Sequence, residues 1–203
     1  MGIFDFFKKE TLDKDVGRVF HKMDNWLQGQ QMVDQAISFR NLGQYDKAIT
    51  ILKETVGKYP IYVPAKIVLG NTLRIKGDID GAEVLFKKIL SEHATGDDYP
   101  LIEVYANLGV IYWLDRKDLK TSLKYYEIAL NAKKPETIED KKYELLRSDV
   151  YRDLCMIYFE AQNFELAKQY AFKRLQTIEH CPNASRVYGC CGYFEWLQKG
   201  SYF

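Results

Sequence analysis

The sequence AISFRNLGQYDKA at residues 36–48 is repeated as GNTLRIKGDIDGA at residues 70–82. Three kinds of residue recur at a spacing of 34, namely a small residue at Ala36 and Gly70, a glycine at Gly43 and Gly77, and an alanine at Ala48 and Ala82. A fixed period of this length indicates a protein built from stacked structural units, each of which buries its apolar face against its neighbour. The repeat therefore decides the fold.

Two further copies follow at wider spacing. The third runs from Leu108 to Ser122, with one extra residue that we place in the turn, and the fourth begins at Leu154. The wider spacing predicts an enlarged loop at residues 95–100 and an insertion in the segment 131–147. The charged stretch 136–147 is predicted to lengthen the first helix of the fourth unit.

Each copy has apolar residues at helical spacing on both sides of the turn. In the first copy, Val33, Ala36 and Ile37 precede Gly43, and a new period of 3.6 residues starts at Tyr45. Glycine fits between two helices because the chain there needs a positive φ. No segment alternates as a strand does. The predicted fold class is all-α, an α-solenoid of about four helix–turn–helix units.

The pattern resembles the tetratricopeptide repeat, a helix–turn–helix of about 34 residues with small, aromatic, glycine and proline signature positions. The resemblance covers residues 29–182, divided into units at approximately 29–62, 63–96, 100–134 and 136–182. In the first unit, the signature positions are held by Ala36, Phe39, Gly43, Tyr45, Ala48 and Pro60. In the later units, they are held by Leu69, Gly70, Leu73, Gly77, Ala82 and Phe86, by Leu108, Gly109, Tyr112, Tyr126 and Ala129, and by Leu154, Tyr158, Phe164 and Ala167.

The two flanks are predicted to cap the repeats. Residues 11–28 carry one broad apolar face, which favours an N-terminal capping helix within residues 1–28 and leaves a dimerisation helix, and hence a homo-oligomer, as an alternative. Residues 183–203 are predicted to form a C-terminal capping helix. Ile3, Phe4, Phe6 and Phe7 leave a weak membrane contact open beside simple packing.

Composition excludes several classes of protein. The chain has 203 residues, is 47% hydrophobic, and carries 29 Lys and Arg against 28 Asp and Glu. This is the composition of a globular protein rather than a disordered one. A net charge of +1 without a basic block supplies little attraction for phosphates, so no nucleic-acid partner is expected. The absence of a long apolar run and the sparse cysteines predict a cytoplasmic protein with reduced thiols.

The residues that would support catalysis are scarce. The three histidines are His21, His93 and His180, and the nearest approach to a metal set is His180 with Cys181, Cys190 and Cys191. Adjacent cysteines are poorly placed to bind one ion together, and cysteine is common as a small buried residue. We therefore expect no catalytic residues, no metal and no cofactor, and the chain is not expected to be an enzyme.

The resemblance implies that the first helices of the units line a concave groove that binds a protein or peptide. The groove positions recur at i, i+4 and i+7, which is one face of a helix. In the third unit this series is Ala106, Val110 and Trp113, and Asn107 lies beside Ala106. The predicted groove residues are Val33, Ile37, Arg40, Ile67, Asn71, Arg74, Asn107, Val110, Trp113, Arg152, Met156 and Phe159.

The chemistry of these residues changes along the chain. Arg40 and Arg74 are 34 residues apart and suit a carboxylate, whereas Trp113 and Phe159 at the matching later positions suit apolar side chains. The predicted ligand is therefore a segment that is acidic towards one end. Some family members clamp a terminal carboxylate with a lysine at the position of Val33, and we do not assign that clamp here.

The leading hypothesis is a non-catalytic scaffold or adaptor. A chaperone for a secreted or toxic client would use the same groove and stays open. A peptide-sensing regulator also stays open, although the 28 residues before the first repeat are too few for the DNA-binding domain found in some such regulators.

Overall fold

The computed structural model describes residues 25–93, 100–136 and 138–177. Residues 25–41 form α1, and the later α-helices are α2 (Tyr45–Lys58), α3 (Val63–Lys76), α4 (Ile79–Glu92), α5 (Ile102–Val110), α6 (Leu119–Asn131), α7 (Asp140–Glu160) and α8 (Phe164–Thr177). A π-helix, Ile111–Asp115, continues α5. The described residues contain no strand, and the predicted all-α fold of helical repeats is confirmed. Most of the N-terminal cap (1–24), the C-terminal cap (183–203) and the cluster around Cys181 lie outside the described residues.

Four turns of the same design join the helices into pairs. One residue in each turn has a positive φ, namely Gly43 (74°), Gly77 (100°), Lys117 (58°) and Gln162 (57°). The N–H of the next residue then donates back to a carbonyl near the end of the first helix, in the pairs Gln44 to Phe39, Asp78 to Leu73, Asp118 to Tyr112 and Asn163 to Tyr158, at 2.8–2.9 Å. This is the bond pattern of a helix that ends in a left-handed residue. The positive φ predicted for Gly43 and Gly77 is confirmed.

The residue after each positive φ begins the second helix. Asp118 accepts a hydrogen bond on its side chain from the N–H of Thr121 at 3.0 Å, and Asp78 and Asn163 accept equivalent bonds three residues ahead. These caps satisfy backbone donors that a helix start leaves open. Gln44 makes no such side-chain bond.

The extra residue of the third unit lies in the helix and not in the turn, which corrects the prediction. The N–H of Arg116 donates to the carbonyl of Ile111, five residues back, at 3.0 Å. The bond from Asp118 to Tyr112 spans six residues, whereas its three counterparts span five. The π-helix absorbs the insertion, so that the third turn keeps the shape of the others.

The chain divides into two compact units, and the first covers residues 1–85. Its core joins α1, α2 and α3 through Val33 and Ala36, Ala48 and Leu52, and Ala65 and Leu69. The connection between α2 and α3 is tied to α1 by two phenols, because Tyr59 donates to the side chain of Gln28 at 2.7 Å and Tyr62 to that of Gln30 at 2.5 Å. The predicted boundary between cap and repeat, at residue 28, lies inside the continuous helix α1.

The second unit covers residues 86–203 and contains a close approach of two helices. A Cβ built on Gly109 of α5 would lie 2.9 Å from the buried ring of Tyr126 of α6. The Ser122 hydroxyl donates to the Gly109 carbonyl at 2.8 Å. α7 has 21 residues, against 14 in α8, which confirms the lengthened first helix, although it begins at Asp140.

The positive-φ residues make a first test. Gly43→Val and Gly77→Val should each lower the free energy of unfolding by about 1–3 kcal/mol, because a β-branched residue is strained in the left-handed region. A Cβ on either glycine meets no other atom within 4 Å, so the cost is conformational. Gln162→Gly relieves the same strain and should raise the free energy by about 0.5–1 kcal/mol. Urea unfolding measures all three, and unchanged values in both valine variants would contradict the turn assignment.

Gly109 makes a second test. Gly109→Ala should lower the free energy of unfolding by about 1–3 kcal/mol, because the new methyl group pushes against the fully buried Tyr126 ring. Gly57→Ala is the matched control, since Gly57 lies in α2 and a Cβ there meets nothing within 4 Å. The control should be neutral or stabilising by up to about 1 kcal/mol. Equal effects of the two substitutions on thermal unfolding would mean that α5 and α6 are not in close contact at Gly109.

Candidate functional site

The last residue in each predicted groove set occupies an equivalent position in its unit. Arg40, Arg74, Trp113 and Phe159 each directly follow the residue whose carbonyl accepts the turn hydrogen bond. All four side chains are partly exposed. Arg40, Arg74 and Phe159 lie three residues before the positive-φ residue of their turns. Trp113 lies four residues before Lys117, because the π-helix that contains Trp113 holds the extra residue.

The other predicted positions divide into exposed and buried residues. Ile37, Asn71 and Val110 are partly exposed, and Met156 is 36% exposed. Val33 and Ile67 are each only 2% exposed, so their assignment to a ligand-binding surface is wrong. Position i of the i, i+4, i+7 series turns inwards in the first two units, because it packs between the helices. We use the term first-helix face for the exposed set, Ile37, Arg40, Asn71, Arg74, Val110, Trp113, Met156 and Phe159.

The part of the first-helix face that lies in the first compact unit, residues 1–85, is basic. Arg40 makes no hydrogen bond or ion pair with any residue that the structure describes. Arg74 is likewise partly exposed, and Asn71 lies one turn before it on α3. Because Arg40 has no carboxylate partner among the described residues, its guanidinium keeps donors available for an anion.

The part of the first-helix face that lies in the second compact unit, residues 86–203, is apolar, and some of its side chains pack within the protein. The indole N–H of Trp113 donates to Glu160 at 3.2 Å, and its ring packs against the core of that unit. The ring of Phe159 contacts Phe164 edge-on, with the ring centres 5.6 Å apart. The side-chain amide of Asn107 donates to the Glu103 carbonyl of its own helix, so this donor is already satisfied.

Arg152 belongs to an internal network that the sequence did not predict. Its guanidinium lies 2.8 Å from Asp149 and 2.9 Å from Asp153. Asp153 is only 7% exposed and also accepts from the Tyr126 hydroxyl at 3.2 Å. Burial raises the pKa of the Asp153 carboxyl, and this effect outweighs the neighbouring guanidinium and the hydrogen bonds, which lower it. Arg152 therefore neutralises a buried carboxylate, and its donors are committed.

A second surface was also missed, a cleft of about 570 Å³ between α7 and α8. We call it the basic-aromatic cleft, and it is lined by Lys141, Glu144, Arg147 and Tyr151 of α7 and by Lys173, Gln176 and Thr177 of α8. The i, i+4 spacing of Arg147 and Tyr151 was readable in the sequence, but the contribution of α8 was not.

Residues 25–93, 100–136 and 138–177 contain neither a metal-binding cluster nor a membrane-spanning helix. No group of three or more His, Cys, Asp or Glu side chains is placed there to hold a metal ion. None of the helices in this part of the chain combines the length and the apolar character needed to cross a membrane. Cys155 is not in a disulfide and is buried in the core beside Phe164.

Comparison with known proteins identifies the repeat. The tetratricopeptide-repeat family model matches residues 32–60, which include the end of α1, the first turn and α2. A solved tetratricopeptide repeat protein from Parabacteroides merdae ATCC 43184 has a TM-score of 0.50 and 20% identity, over 86% of this chain and 61% of that one. Residues 32–60 therefore match a tetratricopeptide repeat, within a chain whose fold is built from helical repeats.

A second solved structure resembles this chain over more of its length. BtubC (BKLC) from P. vanneervenii has a TM-score of 0.63 and 17% identity, and the alignment covers 92% of this chain and 82% of that one. At these identities, both structures support the fold alone. No curated protein matches the sequence. Tetratricopeptide repeats are typical of scaffolds for protein–protein interaction, and proteins built from them are generally non-catalytic.

The buried carboxyl of Asp153 generates a pH prediction. Its folded-state pKa lies above the ordinary 3.8, so between these two values the folded protein binds more protons than the unfolded chain. The wild type should therefore lose stability relative to Asp153→Asn as the pH rises through this interval. Urea unfolding at a series of pH values measures the difference.

Asp118 provides a control of opposite sign. The Thr121 hydroxyl and N–H donate to its carboxylate and lower its pKa, so its contribution is present above the ordinary value and is lost as the pH falls. The free energy of unfolding of the wild type should therefore rise relative to that of Asp118→Asn as the pH rises from the lowered pKa to the ordinary one. If the two variants changed the pH profile in the same direction, the burial of Asp153 would not control its titration.

Proposed function

We propose that this protein is a non-catalytic scaffold that binds a segment of a partner protein on the first-helix face. The observation that carries the proposal is the recurrence of partly exposed residues at equivalent turn positions, with Arg40 and Arg74 in neighbouring repeats. Within the first compact unit, Arg40 and Arg74 hold this position in neighbouring repeats, so one ligand segment can contact both. Binding by such a surface requires no reactive group.

The basic part of the face supports an acidic ligand end. The two arginines project from matching positions of α1 and α3, and Arg40 has no carboxylate partner among the described residues. A guanidinium binds a carboxylate through two parallel hydrogen bonds, which gives orientation as well as attraction. Asn71 offers one donor and one acceptor to a peptide backbone.

The later part of the face supports apolar ligand side chains. Val110 and Met156 are accessible apolar groups, and the edges of Trp113 and Phe159 remain partly exposed beside them. Methionine adapts its shape to different partners, and buried aromatic anchors dominate many interfaces. Arg152 contributes less than the sequence suggested, because its guanidinium already pairs with Asp149 and Asp153.

The other predictions about partners are untested. A cytoplasmic location, the absence of a nucleic-acid partner, a weak membrane contact through the N-terminal segment and self-association remain predictions. A chaperone for a secreted or toxic client and a peptide sensor would use the same face. The identity of the captured partner separates these functions, since a chaperone retains a client and a sensor retains a short peptide.

The test is affinity capture from the native host's lysate with the wild type beside the double variant Arg40→Glu, Arg74→Glu. We expect the variant to fold normally, because exposed charges contribute little to stability, and to lose the partners that the wild type retains. Mass spectrometry identifies the retained proteins, and circular dichroism checks the fold.

The chain offers a control with the same change in charge. Lys53 and Lys87 are also 34 residues apart, are exposed, and lie on the second helices α2 and α4. Lys53→Glu with Lys87→Glu should retain the wild-type partners. If both double variants captured the same proteins as the wild type, the basic part of the first-helix face would not be a binding surface.

A further inference from the structure

The basic-aromatic cleft has a charge that the protein itself leaves unbalanced. Three cationic side chains line the cleft, namely Lys141, Arg147 and Lys173. The lining contains a single acidic side chain, Glu144. Lys141 and Lys173 form no ion pair with any described residue. The contact between Arg147 and Glu144 is 3.5 Å long and partly exposed, so it neutralises little of this charge.

Two of these cations, Arg147 and Lys173, are held in place by contacts within the protein. Arg147 donates to the Tyr151 hydroxyl at 2.9 Å, and its guanidinium lies 5.9 Å from the centre of that ring. The Lys173 ammonium lies 6.0 Å from the same ring and 5.1 Å from the ring of Tyr170. Cation–π contacts of this kind fix the direction of a long side chain and reduce the entropy lost on binding.

Tyr151 forms a rigid base for these contacts. It is only 8% exposed, and its ring centre lies 6.2 Å from that of Tyr170. Tyr170 in turn stacks on Tyr158, with ring planes 1° apart and centres at 5.6 Å. Two cations attracted to one buried ring repel each other, and an anion bound between them would offset that repulsion.

Donor groups remain for such an anion. Lys141 and Lys173 keep their ammonium donors. Gln176 adds a neutral amide. The volume of about 570 Å³ lies within the range of roughly 300–1,000 Å³ that is usual for ligand sites, which is enough for a few residues of a peptide.

The cleft is separate from the first-helix face. With about 100° of rotation per residue, Arg147 and Tyr151 lie roughly a quarter turn or more around α7 from Arg152, Met156 and Phe159. Arg147 and Tyr151 both line the cleft together with residues of α8.

We propose that the basic-aromatic cleft is a second binding site, which takes a glutamate- or aspartate-rich peptide segment of a protein partner. Arg147 and Lys173 bind the carboxylates, Lys141 adds attraction at the α7 end, and the tyrosines contact the aliphatic parts of the ligand. The site does not depend on binding at the first-helix face, so either site can fail without the other.

The experiment uses the full chain and a fluorescein-labelled tetraglutamate peptide, with tetraglutamine as the uncharged comparison. Fluorescence anisotropy is measured at about 0.01 M ionic strength, where the Debye length is about 30 Å. We expect saturable binding of tetraglutamate only. Lys141→Gln with Lys173→Gln should weaken this binding about tenfold or more, since it removes two of the three cations.

Two further variants make the result specific to the cleft. Lys53→Gln with Lys124→Gln removes the same charge from exposed positions on α2 and α6 and should leave the affinity within about twofold of the wild type. Glu144→Gln removes the one carboxylate of the cleft and should strengthen binding by about two- to fivefold. Circular dichroism and thermal unfolding confirm that each variant is folded.

Three outcomes would overturn the proposal. They are the absence of saturable tetraglutamate binding to the wild type, equal weakening by the cleft and control double variants, and weaker binding by Glu144→Gln. Competition with inorganic phosphate distinguishes a site for acidic peptides from a phosphate site. If phosphate displaced the peptide at concentrations similar to those of tetraglutamate itself, the cleft would be a phosphate site and not a site for acidic peptides.

Discussion

The residue with a positive φ at the end of each first helix is the constraint on which every repeat depends. It reverses the chain, lets a carbonyl of the first helix accept a bond from the start of the second, and leaves the next residue in position to begin that helix. Four residues further on, the chain places a small side chain that is completely buried, namely Ala48, Ala82, Ser122 and Ala167. Turn and small residue together bring the paired helices close, and at Gly109 the approach leaves no room for a methyl group.

The same constraint gives the protein a surface whose chemistry can change from unit to unit. The side chain that follows the carbonyl acceptor of the turn bond is an arginine in the first two repeats and an aromatic residue in the last two. The backbone there is α-helical except in the third repeat, where Trp113 lies in the π-helix. Even the insertion in the third unit leaves the turn intact, because the π-helix absorbs it upstream. A scaffold of this type varies its ligand preference through single side chains and keeps its fold, because the fold rests on the turns and small residues and not on the exposed face.

The lengthened helix α7 adds a different kind of surface. Its N-terminal part extends beyond the repeat pattern and meets the C-terminal part of α8, where stacked tyrosines support the cations of the basic-aromatic cleft. One turn further along the same helix, Arg152 is taken up by the buried carboxylate of Asp153. Two arginines of α7 thus have different roles. Arg152 pairs with Asp149 and Asp153, whereas Arg147 is only weakly paired with Glu144.

The sequence by itself determined the features that depend on local chemistry. Four features follow from residue spacing and backbone preference: the period of 34, the glycine turns at Gly43 and Gly77, the pairing of helices and the lengthened helix of the fourth unit. Spacing and backbone preference depend mainly on residues that are close together in the sequence. Only the tertiary structure decided that Val33 and Ile67 turn inwards, that the third unit stores its extra residue in a π-helix, that Asp153 commits Arg152, and that α7 and α8 enclose a cleft. These outcomes depend on which side chains meet across two helices, and one helix's periodicity carries no information about the residues of its neighbour.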